Sequence, residues 1–330
     1  MRISIFLRIY RQKKLWYNGN TILFSEENMK AEKSLKKFWS QRALQSMVLP
    51  GLICLILFSY LPMYGIIIAF KNFRFRDGIL GSSWAGFSHF ETLFTDRSFF
   101  TAIRNTLAIN VLKILFCFPM PVLFALLLSE MRILGVKKSV QTLSYLPHFL
   151  TWVIVAGIFG ELLATDGTIN RLLAVFGVPP TQFLSKKWFF WPLMVITGVW
   201  KEMGWNAIIY IAALSNVNPE LYEAADIDGA GRFAKVRYIT FPFMLPTIKI
   251  TLLLSVAGLF NAGFDQIYLF QNALVMDMAE VLDTYIYKYG LSNMMYSYAT
   301  AAGLFQSLVN FIILITANTI CKKATGSGLY

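Results

Sequence analysis

The sequence predicts an all-α integral membrane protein of six transmembrane helices, with both termini on the cytoplasmic side. Of its 330 residues 56% are hydrophobic, above the roughly 45–50% of an ordinary soluble domain, and its mean hydropathy is +0.55. The apolar residues gather in six long blocks separated by charged stretches. Each block is close to the roughly 20 residues that a helix needs to cross the hydrocarbon core. In lipid a helix satisfies its own backbone hydrogen bonds, so helices are the structure these blocks dictate.

Taken in order, residues 1–46 form a basic cytoplasmic tail that holds ten of the thirty Lys and Arg. Its opening run, Met1 to Leu7, is too short for the apolar part of a secretory signal. A second start, Met29-Lys-Ala-Glu-Lys, leads into a basic amphipathic stretch ending at Gln45. Either Met29 is the true start, or residues 1–28 are a poorly ordered tail. Residues 47–104 comprise the first transmembrane helix, 47–70, and an external loop. The core, 105–320, carries the other five blocks, at 105–128, 143–164, 189–214, 243–262 and 300–320, and residues 321–330 form a cytoplasmic tail. Pro50, Pro62, Pro119, Pro121, Pro147 and Pro192 fall in or near these blocks, where they kink helices and free carbonyls for neighbouring helices to satisfy.

The distribution of Lys and Arg sets the orientation. With the N-terminus inside, the cytoplasmic segments carry 18 basic residues and the external ones nine, while Lys113, Lys201 and Lys249 lie within the blocks. Without residues 1–28 the balance is 13 to nine, of the same sign. Lys249, near the inner end of the fifth block, can snorkel to the interface.

Several function classes drop out. The net charge of +12 sits mainly in the tail and the connecting loops, not in the polar, basic stripe of a nucleic-acid binder. Cys54, Cys117 and Cys321 lie in or at the end of apolar blocks with no Cys-x-x-Cys or Cys/His spacing, so they frame neither a disulfide set nor a zinc site. His89 and His148 have no partner at ligand spacing and read as structural. No Gly-x-x-x-x-Gly-Lys-Ser/Thr loop is present, so the chain does not hydrolyse nucleotide by that route.

The loop between the fourth and fifth blocks reads Asn218-Pro-Glu-Leu-Tyr-Glu-Ala-Ala-Asp-Ile-Asp-Gly229. Asn218 suits an N-cap and Pro219 the first helical position. Glu220 and Glu223 favour the positive end of the helix dipole. Gly229 can end the helix in the left-handed conformation. The spacing predicts a helix of about three turns outside the lipid, whose small Ala224 and Ala225 let it sit deep in a groove on a partner.

With Ile239 and Pro242 further on, this loop resembles the EAA signature of ABC importer permeases: Glu-Ala-Ala, three residues, Gly, nine residues, Ile, one residue, Leu-Pro. Glu223, Ala224, Ala225, Gly229, Ile239 and Pro242 match, and Phe241 stands where Leu is usual. The chain is similar to the permease subunits of binding-protein-dependent importers, with a MetI-like fold. Leu49-Pro-Gly, Tyr60-Leu-Pro-Met-Tyr-Gly65, Trp84-Ala-Gly-Phe-Ser-His-Phe90, Phe264-Asp-Gln-Ile-Tyr268 and Asp283-Thr-Tyr-Ile-Tyr287 resemble the polysaccharide and multiple-sugar branch, over about residues 40–330. The resemblance implies a multi-pass, non-catalytic transport subunit of the bacterial cell membrane, with carbohydrate as cargo. It also implies a second homologous permease, two ABC ATPase subunits that use ATP and Mg, and an extracytoplasmic solute-binding protein. The chain itself would bind no cofactor. ATPase closure would draw the coupling helix inward and switch the bundle between two access states, a rigid-body change.

Ionisable residues in spans are costly and mark paths or internal pairs. Lys201 and Glu202 lie in the fourth block, Thr197 and Lys201 on one stripe, Glu202 and Asn206 on the next. They either line the path or form an internal pair or a contact with the partner permease. Asn261 and Asp265, one turn apart at the outer end of the fifth block, and Gln266 either hydrogen-bond a sugar beside Phe260, Phe264 and Tyr268 or cap a helix end. The run Tyr285, Tyr287, Tyr289, Tyr296, Tyr298 either meets the binding protein or forms an interfacial belt. Three rivals stand beside an oligosaccharide importer: an ABC importer of a non-sugar solute, a secondary transporter, and a membrane enzyme. A secondary transporter would often show inverted repeats, and an enzyme a metal or nucleophile motif; neither is found in the sequence.

Overall fold

The computed structural model describes residues 42–325. Nearly all of the basic tail, including Met29, and residues 326–330 of the C-terminal tail lie outside the described residues. The chain divides after Gly65 into two units. In the first, α1 (Arg42–Leu55) continues through a π turn, Ile56–Tyr60, and a short turn at Leu61–Met63. Met47 and Phe58 are each 77% exposed, the arrangement of a helix whose solvent is lipid.

The second unit opens with a small hairpin, β1 (Lys71–Asn72) antiparallel to β2 (Ser83–Trp84), with Lys71 opposite Trp84. Lys71 Nζ closes the loop by donating to the carbonyls of Ile79 and Leu80. Next come α2 (Ser88–Thr95) and α3 (Arg97–Leu112), whose first turn is capped by Asp96 accepting from Ser98 N at 2.8 Å. A π turn, Lys113–Cys117, joins α3 to α4 (Pro119–Ser129). Then follow α5 (Leu134–Tyr145), a tight turn at Leu146–Phe149, α6 (Trp152–Leu163), α7 (Thr168–Val175) and the long α8 (Lys187–Leu214). The remainder is α9 (Pro219–Ile227), α10 (Arg232–Lys235), a π turn at Val236–Thr240, α11 (Phe241–Ala257), α12 (Phe264–Phe270), α13 (Leu282–Tyr287), a π turn at Lys288–Ser292 and α14 (Tyr296–Thr325).

Among the described residues, five helical stretches are long and apolar enough to cross a membrane: Gln45–Phe70, Arg97–Ser129, Trp152–Val175, Arg232–Ala257 and Tyr296–Lys323. Two of the six expected blocks have moved. The block at 143–164 is divided at Pro147, so its first part is the polar α5 and the apolar crossing begins at Trp152. The block at 243–262 ends early, because the chain leaves the helix after Ala257. The block at 189–214 lies within α8, whose 28 residues are long enough, but Lys201, Glu202 and Asn206 interrupt its apolar character.

Three of the π turns have a common cause. Each is followed, at the same spacing, by a proline: Pro62, Pro119 and Pro242. The residue just before that proline reaches back five positions, Leu61 to Ile56, Phe118 to Lys113 and Phe241 to Val236. A proline ring has no N–H and collides with a carbonyl of the preceding turn in a regular helix. Widening that turn by one residue relieves the collision and keeps a backbone bond.

Among the described residues, the interior of the second unit holds three apolar clusters. One joins Ile109, Leu193, Met194 and Ile267; another Leu93, Phe99, Leu282 and Tyr285; the third Val122, Ala125, Tyr210 and Met244. Tyr285 and Tyr298, expected at a membrane belt or a docking surface, are core residues instead. Their hydroxyls converge on Asp96 Oδ2, at 2.5 and 3.3 Å. Burial pushes the Asp96 carboxyl up, but hydrogen bonds from Tyr285 and from the amide of Ser98 prevail and hold it below the usual carboxylate range.

Helix α8 passes close to the end of α5 at Gly204. A Cβ on Gly204 would stand 2.1 Å from the Ser144 carbonyl oxygen, whereas one on Gly198 would meet nothing nearer than Cys117 Sγ at 3.5 Å and Gln266 Nε2 at 3.9 Å. Overpacking of this kind costs about 1–3 kcal/mol. Gly204→Ala is therefore expected to lower the thermal midpoint of the detergent-solubilised protein and Gly198→Ala to leave it near the wild-type value, both read by fluorescence-detected size-exclusion chromatography after heating.

Candidate functional site

The chain is not helical between α11 and α12. Gly258 ends α11 and Gly263, at φ +91°, turns the chain into α12. Two of the intervening amides, of Leu259 and Asn261, bond local carbonyls, and other peptide groups of the segment are satisfied by side chains from other elements. Asn110 donates to the Leu259 carbonyl at 2.7 Å, and Lys113 Nζ donates to the Ala262 carbonyl at 2.7 Å. The Phe260 amide donates to Asn310 Oδ1 at 3.1 Å, and its carbonyl accepts from Gln306 at 2.7 Å. The Ala262 amide donates to Asp283 Oδ2 at 3.0 Å. Non-helical backbone in a membrane protein is tolerated where protein buries it or where it lines a cavity; here side chains take up its polar groups, and Gly258 and Asn261 line a cavity.

The cavity has a volume of about 780 Å³ and lies between α3, the π turn at Lys113, α4, α8 and α11. Its polar lining comprises the amides of Asn110, Asn206 and Asn261, the hydroxyls of Tyr210, Thr251 and Ser255, and the ammonium of Lys113. Ile114, Phe118, Ile208 and Trp205 supply the apolar wall. Amides and hydroxyls exchange hydrogen bonds with a polyhydroxylated solute, and the aromatic rings offer flat faces, the composition of a site for a polar ring compound.

The six polar residues singled out in the sequence separate into four places. Asn206 and Asn261 line the cavity. Gln266, 2% exposed, is a buried link: its Nε2 donates to the Met194 carbonyl and to Thr197 Oγ1, each at 2.8 Å, and its Oε1 accepts from Lys113 at 2.7 Å. Asp265 is exposed on α12 and sits apart from Asn261, because the break at Gly263 removes the helical turn that would align them.

Lys201 and Glu202 form the fourth place. Lys201, 5% exposed near the middle of α8, donates to the His148 carbonyl at 2.6 Å and lies 3.4 Å from Glu202 Oε1. His148 Nδ1 meets Glu202 Oε2 at 2.7 Å, and the imidazole stacks on Trp205 at 4.3 Å between centroids. His148, without an evident partner in the sequence, thus has one across space. The cluster ties the turn at Leu146–Phe149 to α8.

Asn110, Lys113, Asp283, Gln306 and Asn310 were not singled out from the sequence. The available signal was an ionisable or amide residue inside an apolar block, and Lys113 carried it. What hid the group is that its members converge only through the break in the fifth helix. Among the described residues, no group of His, Cys, Asp and Glu could hold a metal ion.

The loop after α8 has the expected local form. Asn218 Oδ1 accepts from the Glu220 amide at 3.1 Å, Pro219 begins α9, and Gly229 takes φ +74° while Ala230 N donates to the Ala225 carbonyl. One side of α9 is held by Tyr222, whose hydroxyl bonds Thr240 at 3.0 Å, and by Asp226, paired with Lys235. Glu223 and Ala224 are exposed, Ala225 and Ile239 half-buried, Pro242 exposed.

Comparison with known proteins agrees over most of the chain. A family model described as a binding-protein-dependent transport system inner membrane component matches residues 134–324. A polygalacturonan/rhamnogalacturonan transport system permease protein of Bacillus subtilis (strain 168) is 43% identical, covering 94% of this chain and 97% of that one. A chain in the crystal structure of a bacterial ABC transporter involved in the import of the acidic polysaccharide alginate superimposes with a TM-score of 0.82 and 38% identity, covering 89% of this chain and 99% of that one. The same values hold for the crystal structure of a bacterial alginate ABC transporter in complex with an alginate pentasaccharide-bound periplasmic protein.

The cluster at Lys201 generates a test. Glu202→Gln removes the carboxylate facing a buried ammonium, and a buried donor left without its partner costs about 1–3 kcal/mol, more where it is charged. The variant is expected to unfold at lower temperature, and Lys201→Met combined with Glu202→Gln to regain part of the loss, as measured by thermal unfolding of the purified protein.

Proposed function

Because the chain belongs to the family of binding-protein-dependent transport system inner membrane components, we propose that its polar cavity is part of the path of an imported oligosaccharide and that α9 couples this path to an ATPase. It is a multi-pass permease of an ABC importer in the cell membrane. The observation that carries the reading of the path is the 780 Å³ cavity, lined by amides and hydroxyls beside an unwound segment of an otherwise apolar bundle. Discontinuous helices in transporters put their freed backbone at the substrate site. The relatives named for polygalacturonan/rhamnogalacturonan and for alginate support an oligosaccharide as cargo.

In this reading α8 is the sixth crossing, and both termini are cytoplasmic. That places α9, with Glu223, Ala224 and Ala225, on the side of the ATPases. Gly229 closes the helix, and Ile239 and Pro242 set the angle at which the chain re-enters α11. The chain has one cavity wall of its own, and a second, homologous permease supplies the other. Two ATPase subunits use ATP and Mg; this chain is non-catalytic and binds neither. A solute-binding protein delivers the cargo from outside, a partnership supported by the periplasmic protein in the alginate transporter complex. Each partner biases the access equilibrium only through contacts that differ between the two states.

The exposed carboxylate of Glu223 makes the coupling role testable. Glu223→Lys reverses a charge on α9 without touching the bonds that hold it. The reconstituted complex is expected to assemble and to lose substrate-stimulated ATP hydrolysis by about tenfold or more, the factor that 1.4 kcal/mol supplies. Unchanged stimulation, measured in proteoliposomes with the binding protein present, would remove α9 from the coupling path.

A further inference from the structure

We infer that Lys113 is a carboxylate-recognising residue of the cavity, so that this permease selects acidic sugars, such as uronate oligosaccharides, over neutral ones of the same size. The inference rests on the reading of the cavity as the oligosaccharide path. Of the side chains lining that cavity, Lys113 alone carries a formal charge. Its two partners, the Ala262 carbonyl and Gln266 Oε1, are both neutral acceptors at 2.7 Å. An ammonium has three donors, and these partners take up two.

A carboxylate does lie near: Asp283. It reaches Lys113 through Ala262, whose carbonyl accepts from Lys113 and whose amide donates to Asp283 Oδ2 at 3.0 Å. Asp283 is also engaged by Gln306 at 2.8 Å. Lys113 therefore lines the cavity while its ammonium is bonded to neutral acceptors only, in surroundings of low dielectric that strengthen attraction for an anion. Were the cargo neutral, an amide at this position could cap the Ala262 carbonyl without the cost of placing a charge inside a bundle. Asn110 does this for Leu259 one turn earlier. The excess charge at residue 113 is what an acidic ligand would use. The remaining lining, with the amide of Asn206 and the ring of Trp205, suits the hydroxyls and faces of the sugar rings.

The experiment uses the assembled transporter in nanodiscs and two probes of nearly the same shape, trigalacturonate and its fully methyl-esterified form, with binding measured by calorimetry. The wild type is expected to bind the acid at least about tenfold more tightly than the ester, and Lys113→Arg to keep that preference. Lys113→Gln is expected to abolish the preference by weakening the acid alone. Asn206→Asp adds a carboxylate to the cavity without touching the partners of Lys113, so it tests the same point in a fold left intact. It is expected to weaken the acid by about tenfold and to spare the ester. Equal weakening of both probes by Lys113→Gln would make Lys113 a structural cap only. A wild type that binds the ester as tightly as the acid, or an Asn206→Asp protein with unchanged acid binding, would overturn the inference. If Asn206→Trp, which fills the cavity, leaves the binding of both probes unchanged, it is the reading of the path itself that fails.

Discussion

Peptide groups that leave a helix inside a bilayer must find partners within the protein, since hydrocarbon offers none. This constraint shapes the second unit at the segment between Gly258 and Gly263. Asn110, Lys113, Asp283, Gln306 and Asn310, from α3, the π turn after it, α13 and α14, each send a side chain to that segment. None of these elements can slide along its axis without stranding an amide or a carbonyl. The break in α11 is thus the point around which its neighbours are registered. The cavity lies beside it, with Gly258 and Asn261 in its lining.

The second interruption is handled in the same way. Between α5 and α6 the chain turns at Leu146–Phe149, and the ammonium that receives its His148 carbonyl belongs to Lys201 of α8. In both places an interrupted segment exposes a carbonyl and a lysine from another helix meets it. The outcomes differ because the surroundings differ. Lys201 has Glu202 at 3.4 Å and is almost wholly covered, so its charge is balanced within the protein. Lys113 borders open volume and has neutral acceptors. Two chemically similar joints therefore divide into a closed one and one with charge to spare.

Much of the fold was legible in the sequence, and the misreadings have a common source. Apolar block length reveals helices, because hydropathy averages over about 20 residues. It cannot locate a break shorter than the window, so the fifth block, 243–262, was read through Gly258 as continuous, and Asn261 and Asp265 were aligned on a turn that does not form. The capped helix α9 was read correctly, since Asn218, Pro219 and Gly229 act through local backbone geometry. The tyrosines 285 and 298 were misplaced for the opposite reason. Amphipathic rings at a helix end fit a membrane belt, and their burial depends on Asp96, nearly 200 residues away in the chain, accepting both hydroxyls. Gln266 was read as a cap or a sugar contact, and only the fold shows it bridging Lys113 to α8.

The wide turns that precede Pro62, Pro119 and Pro242 bear on how this chain tolerates change in length. A π turn holds one residue more than the α turn it replaces. Removing a residue there, together with the proline that enforces the widening, would convert the turn to a regular one while the helix on either side kept its own neighbours. These three points are thus natural places for single-residue insertions and deletions among related chains. A comparison that forbids gaps within helices would rotate every position beyond such a point by about 100°, and would assign Lys113 or Ile239 to the wrong face.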